Sequence, residues 1–368
     1  MHQRAAHDFI SLLGADRVYL TRAQKLKGEP TVPSRWLMRI SALLEGLKLK
    51  DTLQSDEPWL AWARARDAVD EVKRLKLKIS APEPRPPLSM RPRRMSVTRV
   101  EDWITNPYTV FARQILRLEP LPTLGQPPDQ SLRGALVHEV LSSFAIANPS
   151  TLPPDTFAAL TKIARDRLAD LTGHPRVAAF WMPRLVRFLI WFAATEANRR
   201  DGVSRVVSET SGTLILAAPG GPFTLTARAD RIDAGSNGLI ITDYKTGAIP
   251  SDGAVQNNRA PQLPLEAAIA LGAIGFPELS GQRVASLRYI RASGGEPPGE
   301  ERRIKSDDIA ALAKAAVDGL AALIATYDDE ATPYRAVRRP GFRYDYDDYA
   351  HLARVAEWSA HSDDEAGA

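Results

Sequence analysis

The chain has 368 residues, 44% of them hydrophobic and 25% charged, which is enough to bury a sizeable core and argues against overall disorder. Its 48 Lys and Arg stand against 44 Asp and Glu, a formal charge of +4 that is compatible with a polyanionic partner and proves none. There is no cysteine, so disulfides, a thiol nucleophile and cysteine-ligated zinc or iron–sulfur sites are excluded, while an oxygen-ligated metal is not.

The opening "MHQRAAHDFISLLGADRVYL" lacks a basic n-region ahead of an apolar stretch, and no run of about 18 apolar residues follows it, so a soluble, cytoplasmic protein is expected. Residues 1–80 read as helices around one short strand, "RVYLTRA" (17–23), with an amphipathic helix in "PSRWLMRISALLEGL" after a Gly-Glu-Pro turn. Trp36, Trp59 and Trp62 are expected to pack on helix faces. The Pro- and Arg-rich stretch over 81–95 predicts an extended basic linker with a domain boundary near residue 90, its Arg91, Arg93 and Arg94 touching DNA or an acidic partner surface. "SVTRVEDWI" then starts a helix capped by Ser96 or Thr98, with Glu101 in the capping-box position for Thr98.

Helical periodicity dominates to about residue 198, and from 203 to 247 the period changes from 3.6 to 2. "SRVVSETSGTLILA", "PFTLTARADRID" and "LIITDYKTG" predict an antiparallel meander, followed by a helix in "QLPLEAAIALGAI", a strand in "VASLRYIRA" and helix thereafter. The expected fold class is mixed α/β.

Asp243 and Lys245 share one face of their strand and Tyr244 points away. A four-residue "GSNG" loop closed by Ala234 and Leu239 sets Asp230 opposite Asp243, and Arg228 opposite Lys245. Like charges directly opposite, their Cβ atoms about 4.5–5.5 Å apart, destabilise a sheet unless a cation compensates. Two converging carboxylates beside a lysine suit a magnesium-dependent phosphodiester hydrolase, although Asp-x-Lys is also common on solvated strand ends. A one-residue slip would turn Asp230 away; Asp233, of opposite parity, is the fallback. Glu209 either supports the metal through a water or is an exposed strand residue. His138 lies beside the stripe Val137, Val140, Leu141 and Phe144, where a half-buried packing role competes with a ligand role.

"RGALVHEVLSSF", "TARADRID", "ITDYKTG" and "PQLPLEAA", in that order, resemble the RecB-type nuclease domain of the PD-(D/E)xK superfamily. "RAAHDFISLLGADRVYLTRAQKLKGEPTVPSRWLMRI" and the terminal "YAHLARVAEWSA" are similar to the C-terminal part of the AddB family of double-strand break repair subunits, in its cysteine-free alphaproteobacterial form. The resemblance implies a restriction-endonuclease-like core over 96–368 behind a helicase-like remnant over 1–80. It implies His138, Asp230 and Asp243 as metal ligands with the Tyr244 carbonyl, Lys245 as catalytic lysine, and Gln262 as the glutamine of a Q-x-x-x-Y motif whose tyrosine position holds Glu266. Asn106 stands where other AddB-type proteins have a cluster-binding cysteine, so no iron–sulfur cluster is expected and packing must hold that segment. Mg2+ or Mn2+ is the implied cofactor. DNA ends and single strands are the implied substrates, an AddA-type helicase–nuclease subunit the implied partner, and the nucleoid the implied place of work. The chain would then be the end of a longer protein.

"VYLTRAQK" resembles the last motif of superfamily 1 helicases, which would put Arg22 at a nucleotide γ-phosphate, but no G-x-x-x-x-G-K-[ST] occurs and no ATP hydrolysis is expected from this chain alone. A stand-alone nuclease of the same superfamily and a catalytically silent DNA-end-binding scaffold are the alternatives.

Overall fold

The computed structural model describes residues 2–26, 28–49, 58–68, 80–121, 130–169, 175–339, 344 and 347–359. Its contacts divide the chain into two units, Met1–Lys78 and Ile79–Ala368.

The first unit holds helix α1 (His2–Leu12), the two-residue strands β1 (Lys25–Leu26) and β2 (Glu29–Pro30), and helices α2 (Arg35–Gly46) and α3 (Trp59–Asp67). The α2 start follows its sequence, with the Ser34 hydroxyl accepting from the Leu37 amide. The strand expected over 17–23 is irregular instead, since a strand with no neighbour leaves its backbone groups without a ladder. Within it Arg22 donates to the Thr31 carbonyl at 3.4 Å. Trp59 and Trp62 meet edge to face at 5.0 Å and remain half exposed rather than packing into a core.

The second unit is a mixed α/β domain. Strand β3 (Arg94–Ser96) leads into helix α4 (Val97–Thr105). Helices α5 (Gln130–Ala147), α6 (Thr156–Ala169) and α7 (Pro175–Arg199) precede the long hairpin of β4 (Val203–Leu216) and β5 (Phe223–Gly235), then β6 (Gly238–Lys245). Helix α8 (Gln262–Leu271) crosses to β7 (Val284–Arg291), which pairs with β8 (Glu300–Arg303) before the long helix α9 (Ile309–Tyr327). The sheet order is β3-β5-β6-β7-β8, with β4 also on β5. The β6 and β7 strands run parallel, as a helical crossover requires, and β3 joins β5 in parallel.

Helices cover both faces. On one, Trp103, Leu263, Ile269 and Leu320 pack against Phe223, Ile232, Ile241 and Leu287. On the other, Leu141, Phe144, Phe188 and Phe192 pack against Tyr244 and Ile290. By length and composition α9 could cross a membrane, which the sequence reading did not register; its Ile309, Ala313, Ala316, Leu320 and Ile324 instead lie in the first core.

The stretch 81–95 is not a free linker. It belongs to the second unit, whose border falls after Lys78 rather than near residue 90. Arg91 is buried and donates to the carbonyls of Pro86, Tyr327, Asp329 and Glu330 at 2.7–3.0 Å. Arg93 is paired with Asp328, and Arg94 opens β3. Four carbonyls converging on one guanidinium use its fixed fork of donors, which explains why so basic a stretch folds inward.

Behind the sheet a buried ionic network joins α7 to three strands. Arg231 bonds Asp233 at 2.6 Å and Glu196 at 2.9 Å, and Arg288 reaches both Asp233 and the Thr242 hydroxyl. Asp233, the fallback ligand, is therefore fully occupied by two buried arginines.

Candidate active site

Two ladders bring the predicted residues to one end of the sheet. On β5 the pairs Ala234↔Leu239 and Gly235↔Gly238 leave only Ser236 and Asn237 in the turn, two residues rather than four. Because both strands lengthen by one, the register is the expected one. The ladder ends at Arg231↔Thr242, one step short of Asp230 and Asp243. There a side chain replaces the backbone partner: the Tyr244 amide donates to Asp230 Oδ2 at 2.8 Å.

The other carboxylate oxygen of Asp230 meets His138 Nδ1 at 3.2 Å. His138 is carried on α5 beside the Val137, Val140, Leu141 and Phe144 stripe, all four in the core, so the stripe fixes its place while the imidazole reaches the strand end. Burial works against its protonation, but the bond and charge of Asp230 outweigh it and hold the ring pKa above its usual value. The Tyr244 ring, on the opposite face from Asp243, lies edge-on to His138 at 5.9 Å.

Glu209 completes this group. The pairs Ser208↔Arg231 and Thr210↔Ala229 set it opposite Asp230. On β5 the alternation reverses here, since Leu225, Ala227 and Ala229 face the first core and then Ile232 does. Glu209 has φ 54°, a left-handed conformation that costs a non-glycine residue on the order of 1–3 kcal/mol. Its visible partner is Arg228, with Nε 2.6 Å from Oε2, and that arginine side chain is 68% exposed. An exposed ion pair is worth about 0–1 kcal/mol, too little to offset such strain. One ligand atom each from His138, Glu209 and Asp230 lies within 4.8 Å of the others, a cluster the size of a metal site. A nitrogen and two carboxylates, with room for water on the open side, fit a divalent cation.

Asp243 lies outside that cluster of three. Its carboxylate is 2.9 Å from Lys245 Nζ, and Gln262 Nε2 donates to it at 2.6 Å. Lys245 Nζ also donates to Gln262 Oε1 at 3.0 Å, closing a ring of three side chains. Burial raises the Asp243 pKa against the pull of Lys245, and Asp243 in turn keeps Lys245 protonated against its own burial. Glu266, at the expected tyrosine position, accepts from Gln262 at 3.2 Å; burial first, and then Asp243 and Asp230, push its carboxyl well above the usual range. Its burial thus favours the uncharged carboxyl beside the ring.

Arg228 is not placed beside Lys245, because the hairpin ladder ends before reaching them; Lys245 pairs with Arg291 of β7, and Arg228 with Ser211 of β4. Glu101 does not close a capping box with Thr98. Ser96 caps α4, accepting from the Arg99 amide, and the Glu101 carboxylate instead accepts the Gln262 amide at 3.3 Å. It thus caps α8, whose own N-cap residue Pro261 provides no side-chain bond. No local signal marks a partner 161 positions away. Asn106 is buried, its amide donating to Asp347 at 3.5 Å and its Oδ1 accepting from the Val337 amide at 3.4 Å, so polar contacts tie this segment to the C-terminal one.

A profile of the PD-(D/E)XK nuclease superfamily matches residues 94–339, about two thirds of the chain. The uncharacterized protein RC0550 of Rickettsia conorii is 31% identical over 187 residues, covering 49% of this chain and 22% of that protein. An uncharacterized protein of Rickettsia bellii is 29% identical over 181 residues, with the same coverage. The matches therefore span about half of this chain and about a fifth of these relatives. A solved structure described as "Crystal structure of SSO0001" aligns at 13% identity over 62% of this chain and 75% of that chain, with a TM-score of 0.27 that carries no weight for the fold.

Proposed function

The chain belongs to the PD-(D/E)XK nuclease superfamily, and from that premise we propose that it is a divalent-metal-dependent deoxyribonuclease that degrades DNA ends as the nuclease part of an AddB-type subunit, beside an AddA-type helicase. The observation that carries the reading is the pairing of two groups at one strand end: the His138, Glu209 and Asp230 cluster, and the Asp243, Lys245 and Gln262 ring.

His138, Glu209 and Asp230 would hold the ion, and the family resemblance adds Asp243 to that set. Magnesium at that place would supply Lewis acidity toward a phosphate and lower the pKa of water. The chain's own contribution is electrostatic and positional. Lys245 carries a protonated amine held by Asp243 and Gln262, aimed where charge develops on a phosphodiester under attack. Gln262 sets the angle between Asp243 and Lys245. Glu266 supports Gln262 by accepting from its side-chain amide.

The place in DNA break repair and the helicase partner rest on the resemblance of 1–80 and the C-terminal segment to the AddB family. The test is cleavage of end-labelled single-stranded and duplex-end DNA with and without Mg2+, together with gel filtration in the presence of an AddA-type subunit. Metal-dependent loss of label and a shared elution peak are expected. DNA left intact under every metal would overturn the nuclease reading, and separate elution the partnership.

A further inference from the structure

Arg228 pairs with Glu209 through a side chain that is 68% exposed. The guanidinium stands at the rim of an open cleft lined by Gly134, Ala135, His138, Ser142 and Glu209, on the same side of β5 as Asp230 two residues later. The cleft opens directly onto the cluster of His138, Glu209 and Asp230. The same Glu209 carboxylate faces both ways: Oε2 holds Arg228 at 2.6 Å, and Glu209 is one of the three groups close enough to share a cation. A doubly charged ion competes for a carboxylate far better than an exposed, solvent-screened guanidinium does.

Resting on the nuclease reading, we propose that Glu209 holds Arg228 in reserve: a divalent cation at the cluster draws the Glu209 carboxylate to itself, and the released Arg228 takes a backbone phosphate of the nucleic-acid strand lying in the cleft. Substrate grip is then coupled to metal loading. Without the ion, Arg228 neutralises Glu209, so the Glu209 and Asp230 carboxylates do not repel one another unopposed. With it, the guanidinium is pushed outward by the new positive charge toward the side from which a phosphate arrives. A phosphate contact releases condensed counterions, so the exchange has a signature in salt dependence as well as in affinity.

The experiment measures binding of a fluorescent single-stranded oligonucleotide by wild type, Arg228→Ala, Arg228→Lys and Glu209→Gln, in EDTA and in Ca2+, with the DNA checked on a gel for integrity. In EDTA, wild type and Arg228→Ala should bind within twofold of each other. In Ca2+, Arg228→Ala should bind about five- to tenfold more weakly, with a log–log salt slope smaller by about 0.7, and Arg228→Lys should recover part of the loss. Glu209→Gln should bind several-fold more tightly than wild type already in EDTA. Equal loss from Arg228→Ala in both buffers, no loss in either, or no gain from Glu209→Gln in EDTA overturns the exchange. A parallel Mg2+ cleavage reaction separates the two readings, because a wild type that cleaves while Arg228→Ala shows no metal-dependent loss sinks the exchange alone, and a wild type that neither cleaves nor binds DNA sinks the nuclease reading.

Discussion

The Gln262 amide donates to the carboxylate of Glu101 at 3.3 Å, so a residue of α4 caps the helix whose first side chain binds Asp243 and Lys245. A carboxylate at a helix N-terminus is favoured by the exposed amides there, yet this one lies in a mostly buried place. Burial pushes its pKa up to about 7, against the pull of Lys245.

That shift has a direction in stability. Between the ordinary value near 4.5 and about 7 the folded chain holds a proton that the unfolded chain has lost, so Glu101 lowers stability as pH rises through this window, by up to about 3 kcal/mol in total. Glu101→Gln keeps an acceptor for the Gln262 amide and removes the titration. Thermal melts of metal-free protein from pH 4.5 to 8 should show the variant gaining on wild type as pH rises, with equal curves at every pH counting against the assignment.

Arg91 is a structural residue. Arg91→Ala would leave the carbonyls of Pro86, Tyr327, Asp329 and Glu330 without their donor, at a cost of about 2–4 kcal/mol. Chemical denaturation should show that loss, and the salt dependence of DNA binding should not change. A flatter salt slope with full stability would return the segment to the role of an exposed DNA contact.

Asp233 compensates Arg231 and Arg288, all three buried. Removing one member of such a network leaves a buried charge unopposed, and Asp233→Asn should cost on the order of 3–5 kcal/mol. If the residue served the metal instead, calorimetry would show lost cation binding with the melting temperature intact.

Glu209 offers a trade between stability and activity. Glycine tolerates φ 54° freely, so Glu209→Gly should melt at the same or a higher temperature without metal, while cation binding measured by calorimetry weakens at least tenfold. Unchanged cation affinity would remove Glu209 from the ligand set.

Much of this was legible in the sequence because it is local. Alternation over 203–247 and the "GSNG" break predict the hairpin, and the pairing of Ala234 with Leu239 gives the observed register although the turn is two residues shorter than expected. The helical stripe on α5 placed His138 at its edge. What failed was non-local. Strand β3 is three residues long and finds its partner on β5 in parallel, so nothing in the Arg- and Pro-rich run before it announced a sheet. The expected pairing of Arg228 with Lys245 extends a ladder that ends at Arg231↔Thr242, and the left-handed residue Glu209 inside β4 has no glycine to betray it. The capping box read for Glu101 was a sound local pattern overridden by a distant helix end.

The central claim is that Lys245 and its neighbours hydrolyse DNA, and single-turnover cleavage of an end-labelled DNA with Mg2+ by wild type and Lys245→Ala tests it most directly. Removing a group that acts on charge developing in the transition state should slow the chemical step by about 10²–10³ while DNA affinity stays near that of wild type. Cleavage by Lys245→Ala at the wild-type rate would contradict the account.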